Sequence, residues 1–423
     1  MKNNSFDWFK LDNAAKIFPG QNSKSWSNIF RLCVQLKKEI DPDILSQALE
    51  ATLERIPSFN VRIRRGLFWY YFEKNPNKPQ VLPDIKNPCY RIRFKENNGF
   101  LFRVYYLGDR ISLDVYHALC DGYGASVFIF TLVGEYLRLS GEEIDYNQFV
   151  LNVKDSPKQS EVEDSYSRYA DSKVPYDRKD KWVYHARGTK MPMHMTNFTI
   201  GIMSFKELHA VAKSYNATVT EFLAALLMDV HYRKQKAENK KQREICVQVP
   251  VNLRKAFPSE TLRNFVLCLR VKMDPNLGDY TFDEIVRSVS LQLKLANDPK
   301  LINSLMTQNM KLERNPVTKH LPLVVKDLGV AIGFLITAEQ TTSTLLSNLG
   351  PIRLPESVEK HIEKAILFTG PGKVNGARCG VVSIGDKLAF SFSNCYQESD
   401  IEREFYTRLV KMGVHVKIES NRD

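Results

Sequence analysis

The sequence lacks most of the features that would classify it at a glance. No uninterrupted apolar run reaches the ~20 residues needed to cross a bilayer. The longest candidate, "LPLVVKDLGVAIGFLIT" (321–337), is broken by Lys326 and Asp327 and reads as a buried helix. The opening "MKNNSFDWFKLDNAAKIF" carries no apolar core of signal-peptide length, so a cytoplasmic chain with no transmembrane segment is expected. Cysteine is sparse: seven residues, an odd number, scattered with no C-x-x-C pair. That argues against a disulfide framework and against a zinc site, and leaves reduced thiols packed in the core. Also absent are H-E-x-x-H, G-x-x-x-x-G-K-[ST], G-x-S-x-G and G-x-G-x-x-G. Metal, P-loop, serine-hydrolase and dinucleotide readings therefore have no foothold, and no metal is expected.

What is present is ordinary in bulk and uneven in charge. At 423 residues, 43% apolar and 26% charged, the chain matches folded proteins and is long enough for two compact units. Lysine and arginine number 60 against 48 acidic residues, a net charge of +12 that favours anionic ligands, acidic proteins, nucleic acid or an anionic membrane surface. No nucleic-acid motif accompanies the charge, and no nucleic-acid partner is expected. The densest basic stretch is "RKQKAENKKQR" (233–243). It reads first as a solvated helix end; the alternative is a cradle for a phosphate-bearing cofactor built from Arg233, Lys234, Lys240 and Lys241.

Strands and helices alternate along the chain without repeats. "NIFRLCVQLKK" has the period of a half-buried strand. Asp41 and Pro42 open a helix with an apolar stripe of Leu45, Ala48, Leu49, Leu53 and Ile56, closed by Pro57. "FLFRVYYL" and "RISLDVYHA" form a strand pair turning at Gly108 and Asp109, and "GYGASVFIFTLVGEYLRL" follows as an apolar helix. After a polar stretch the alternation resumes, with Thr218 and Glu221 spaced as a capping box. Residues 1–155 are thus expected as one subdomain, 156–193 as a linker or crossover, and 194–423 as a second subdomain, the interface between them being the natural place for a site.

One short stretch carries chemistry: "YHALCDGYG" (116–124), with His117 at a strand end, Asp121 four residues on and Gly122 next. A histidine, with an unperturbed pKa near ~6.5, is partly neutral at physiological pH and takes a proton from a hydroxyl, amine or thiol attacking a carbonyl. The aspartate is placed to hold the turn by pairing with an arginine from elsewhere. Glycine leaves room for a substrate atom. Nearby residues read more simply: Asp114 as an exposed strand carboxylate, Cys120 as packing, and Trp69, Tyr70 and Tyr71 as residues in or beside the core.

In that strand-to-helix context the stretch resembles the histidine motif of the coenzyme A-dependent acyltransferase superfamily. "VPVNLRKAFPSETLRNFV" (249–266) and "SNLGP" (347–351) are similar to two further motifs of that group, and with "WFKLDNAAKIFP" and "SFSN…FYTRL" the likeness spans nearly the whole chain. It is closest to alcohol acetyltransferase-like and condensation-domain-like proteins. The resemblance implies an α/β (α+β) fold: two chloramphenicol acetyltransferase-like α/β sandwich subdomains with an active-site tunnel between them. It further implies His117 as general base without a covalent acyl-enzyme, Asp121 as a structural aspartate, Arg254 as its salt-bridge partner, and Gly122 keeping the tunnel open. Ser347 or Asn348 would donate to the oxyanion or thioester. No permanently bound cofactor is implied. The donor is an acyl-coenzyme A or carrier-protein thioester, the acceptor a small alcohol or amine, and the protein a monomer. Tyr116 stands where many relatives have a second histidine, and the pentapeptide D-F-G-W-G of the plant branch is missing. A non-catalytic module that binds an acyl carrier or assembly partner is the alternative on the same fold.

Overall fold

A computed structural model describes residues 6–22, 28–85, 87–174, 176, 180–193, 195–238, 241–372 and 374–422. The expected N-cap is in place: the Asp41 side chain accepts from the amides of Asp43 and Ile44 and starts the helix Pro42–Arg55. Thr218 and Glu221 close their reciprocal capping box on the helix Val219–Ala237, which runs through the second core.

Two sheets organise the molecule. The first has five strands in the order Ile362–Thr369, Ile29–Leu36, Arg110–Tyr116, Phe102–Leu107, Val81–Pro83. The second has seven, in the order Val266–Met273, Ile245–Asn252, Thr344–Ile352, Ala377–Ile384, Lys387–Asn394, Asn197–Ser204, Val416–Ser420. A small sheet of Trp8–Lys10, Tyr70–Lys74 and Val61–Arg65 flanks the first. Buried apolar residues fall into two clusters, one per large sheet, so the chain is a mixed α/β protein of two lobes.

The lobes exchange chain. Ile362–Thr369, from the far half of the sequence, pairs antiparallel with Ile29–Leu36 and forms the edge of the first sheet. It also packs on the second sheet, where the Ser391 hydroxyl donates to the Leu367 carbonyl. Between the lobes, residues 159–169 are fastened to both sides. Glu161 takes both terminal nitrogens of Arg55 at 2.7 Å, and Tyr166 Oη donates to the Val266 carbonyl at 2.6 Å.

Three expectations change. The strand Ile29–Leu36 is buried on both faces rather than half-buried, because Arg31 on its polar face is neutralised by Asp84 and Asp114. Asp114 is likewise fully buried, not exposed: Arg31 Nε lies 2.5 Å and Arg103 Nη2 2.9 Å from its carboxylate. A carboxylate so placed persists only when paired and hydrogen-bonded. The apolar stretch around 321–337 is helical, Leu323–Phe334, but most of its aliphatic side chains are exposed rather than buried.

Candidate active site

The strand Arg110–Tyr116 is central in its sheet and delivers His117 one residue beyond its end, where the His117 amide donates to the Asn28 carbonyl at 2.8 Å. The chain turns at once, the Leu119 amide reaching the Tyr116 carbonyl, and Asp121 caps the helix Gly122–Leu139 by accepting from the Gly124 amide at 3.0 Å. Five residues therefore carry the chain from a central strand to a buried helix, which fixes the histidine's backbone on both sides.

Asp121 is turned away from the histidine. Its second oxygen accepts from Arg254 Nη1 at 2.8 Å and from the Phe265 amide at 2.8 Å. Arg254 is itself held by the carbonyls of Thr261 and Arg263 and by Asn252 Oδ1, and its guanidinium lies over the Tyr123 ring, 4.5 Å from the centroid. The pair is buried and joins the lobes. With both partners saturated, it is a staple rather than a proton carrier.

The glycines serve close packing. Gly122 has an ordinary backbone angle, and a Cβ there would fall 2.4 Å from Leu349 Cδ2, so its bareness admits a side chain of the opposite lobe. A Cβ on Gly124 would fall 2.0 Å from the Leu262 carbonyl oxygen, a backbone atom with little freedom to yield.

His117 is half-buried in a pocket that fixes its ring. Phe18 stacks on it at 4.8 Å between centroids, and Phe30 meets it edge-on at 5.1 Å. Nδ1 lies 3.2 Å from Asn264 Oδ1; the Asn264 amide nitrogen in turn donates to Asp12 Oδ2 at 3.3 Å. Asp12 is fully buried, takes the Ala15 amide at 2.8 Å and faces Arg263 at 3.5 Å. Burial raises its carboxyl to about 6 against the pull of Arg263, so it is ionised at neutral pH. Burial also lowers His117 below its usual 6.5, opposed by its own backbone carbonyl, Asp121 and Asn264, and leaves the ring neutral.

This chain of contacts dictates a tautomer. An ionised Asp12 only accepts, so Asn264 must turn its NH2 toward Asp12 and its carbonyl oxygen toward His117. The imidazole then donates from Nδ1, which leaves the Nε2 lone pair free. Neither Asp12 nor Asn264 was singled out as a site residue from sequence; both lay inside stretches that carry the family likeness, but nothing in one sequence pairs residues 252 positions apart.

The remaining candidates separate. Ser347 and Asn348 lie on Thr344–Ile352. Asn348 donates to Thr220 Oγ1 at 2.9 Å and accepts the Gly350 amide at 2.8 Å, so its polar atoms are occupied in the second lobe. Ser347 lies two residues before Leu349, the residue that meets Gly122, just ahead of the irregular stretch between Asn348 and Pro351. Arg233 and Lys234 sit toward the end of Val219–Ala237, about 20 Å along the helix from Thr220, and pair with Asp229 and with Asp400. Lys241 is exposed in the following loop, and Lys240 lies outside the described residues. The basic stretch is therefore not gathered at the histidine. Cys120 is buried and its thiol is pushed well up by burial, a packing residue as read from sequence. No group of metal-ligating side chains occurs among the described residues.

Tyr70 packs beside the first core, as expected, and Trp69, Tyr70 and Tyr71 also face open space. They line a cavity of about 1490 Å³ with Trp8, Lys10 and Lys16. The segment that contributes Trp8 to Lys16 continues to Phe18, so one short stretch walls the cavity and covers the imidazole.

No family model matches the sequence, and no curated protein does. Solved structures do. F. graminearum TRI101 complexed with ethyl coenzyme A superposes with a TM-score of 0.64 at 11% identity, covering 97% of this chain and 99% of that one. The trichothecene 15-O-acetyltransferase TRI3 from Fusarium sporotrichioides gives 0.56 at 10% identity, over 96% and 94%. The nonribosomal peptide synthetase FmoA3 bound to AMPPNP gives 0.60 at 14% identity, over 98% of this chain but 43% of that one. At such identities the likeness is one of fold: the chain has the two-lobed α/β architecture shared by these proteins.

Proposed function

We propose that this fold carries out acyl transfer, moving an acyl group from a coenzyme A or carrier-bound thioester to a hydroxyl or amine, with His117 Nε2 as general base. The observation that supports it best is the orientation of the imidazole: Nδ1 faces Asn264 and Nε2 makes no hydrogen bond among the described residues. The acceptor's proton passes to Nε2 as its oxygen or nitrogen bonds to the thioester carbonyl carbon. The tetrahedral oxyanion then collapses, the C–S bond breaks, and the leaving thiolate takes the proton from the imidazolium. No acyl-enzyme forms in this sequence. Ser347 is the proposed donor to the oxyanion, and Asn348 a fixture that holds the turn at Gly350. Coenzyme A is the proposed donor carrier because the neighbour TRI101 was solved with an ethyl coenzyme A ligand.

The test is thiol release from acyl-coenzyme A in the presence of a panel of alcohols and amines. Release that requires the acceptor, and that falls about a hundredfold to ten-thousandfold in His117→Ala while the variant stays folded, supports the reading. Undiminished turnover in that variant overturns it.

A further inference from the structure

The helix Leu323–Phe334 turns both of its charges inward, beside the buried Leu323, and leaves most of its other aliphatic residues outward. Its two charged residues fasten it to the protein: Asp327 accepts from Tyr70 Oη at 2.8 Å, while Lys326 donates to the carbonyls of Phe68 and Lys319 and lies 3.5 Å from the centroid of the Trp69 ring. Its aliphatic side chains point the other way. Val324 is 65% exposed, Leu328 63% and Ile332 52%, and Val325, Leu335 and Ile336 are exposed beside them. At about 100° per residue the four positions on the helix fall on one stripe roughly a third of its circumference wide, and Leu335 and Ile336 carry it into the π-helical turn Leu335–Glu339 that follows. Core packing cannot have selected that stripe, since it faces away from the core.

The stripe continues onto neighbouring elements. The Leu323 amide donates to the carbonyl of Leu67, a loop residue 82% exposed, with Phe68 next to it; Val317, in the preceding helical turn, is also exposed. Apolar patches of this extent mark interaction surfaces. Exposed cations outnumber free carboxylates around it. Glu73 is paired with Arg62 and Arg64 and Glu313 with Lys16, Asp327 is turned inward onto the Tyr70 hydroxyl, and Asp7 lines the adjoining cavity. Arg65, Arg314 and Lys319 are exposed and have no carboxylate partner among the described residues.

We propose that this face seats on the surface of an anionic lipid bilayer, the aliphatic stripe entering the acyl boundary and Arg65, Arg314 and Lys319 meeting lipid phosphates. Aliphatic side chains beside unpaired cations, with Trp8 and Trp69 lining the adjoining cavity, have the composition of an interfacial helix. A second copy of the chain would bring the same cations against themselves, and protein interfaces are richer in aromatic and hydrogen-bonding anchors than this stripe is. No helix among the described residues is long and apolar enough to cross the membrane, so the contact is peripheral.

The test is co-sedimentation of the full chain with extruded vesicles, either phosphatidylcholine alone or phosphatidylcholine with about a third phosphatidylglycerol. Binding is expected to the anionic vesicles, at least tenfold weaker on neutral ones, and weaker again as salt rises. Leu328→Asp with Ile332→Asp, and separately Arg65→Glu with Lys319→Glu, should each lower it at least tenfold with unchanged circular dichroism and melting. Absence of binding by the unmutated protein overturns the proposal without any variant. So does binding indifferent to both pairs of substitutions, or a Leu328→Asp, Ile332→Asp variant that only dissolves a self-associated form or a complex with an acidic protein. The readout involves no turnover, so its outcome is separate from that of the acyl-transfer assay.

Discussion

At the seam between the lobes, charge is answered by charge: Asp121 by Arg254, Glu161 by Arg55, Asp12 by Arg263. Along Leu323–Phe334 the charges are turned inward and the aliphatic residues stand in solvent. Both regions are conspicuous in sequence, one by a motif and the other by hydropathy, yet the structure uses them oppositely. At the seam, side chains are held by several partners at once and their geometry is over-determined. On the helix only the inner face is fixed, and the outer one is left to whatever surface it meets.

That contrast predicts unequal responses to substitution. The largest is at the staple. Arg254→Ala strands a buried Asp121 carboxylate and should cost about 3–5 kcal/mol in denaturant unfolding; a loss below about 1 kcal/mol would show that the seam is less dry than described. Gly124→Ala comes next, at about 1–3 kcal/mol, because its Cβ meets the fixed Leu262 carbonyl. Gly122→Ala should cost less, since Leu349 can rotate away, and the reverse order would contradict the packing described.

Asn264→Ala probes positioning rather than stability. It removes the side-chain partner of Nδ1 and should lower kcat/KM about ten- to a hundredfold, with the Nδ1–H tautomer, read by nitrogen NMR, less strongly favoured. For the unmutated protein, kcat/KM should be level at neutral pH and fall as pH drops. Protonation removes the base, and burial holds the His117 pKa below 6.5. Asp12, at about 6, titrates in the same range and reaches the ring only through Asn264, so its protonation falls on the same limb. A limb centred above 6.5 would point to another base. The smallest effect belongs to the open helix: Leu328→Ser should change stability by no more than about 0.5 kcal/mol, whatever it does to lipid binding.

Much of this was legible beforehand wherever the relevant physics is local. The cap at Asp41, the box at Thr218, the turn at Gly108 and the strand–His117–helix sequence depend on neighbours a few residues apart, so one chain suffices to read them. The Asp121–Arg254 pair was reached by family likeness and stands in the structure at 2.8 Å. Asp114 was misjudged because strand period shows which residues share a face and says nothing about whether two arginines and a covering segment bury that face.

By itself, then, the sequence determined the elements, their caps and the residue types at the strand end, since backbone preference and side-chain period act over a few positions. The tertiary structure alone decided which sheet received Ile362–Thr369, that Asp12 and Asn264 stand behind the imidazole, and that an apolar helix faces outward. Each of these outcomes depends on segments far apart in the chain arriving side by side, and their proximity exists only once the lobes have packed.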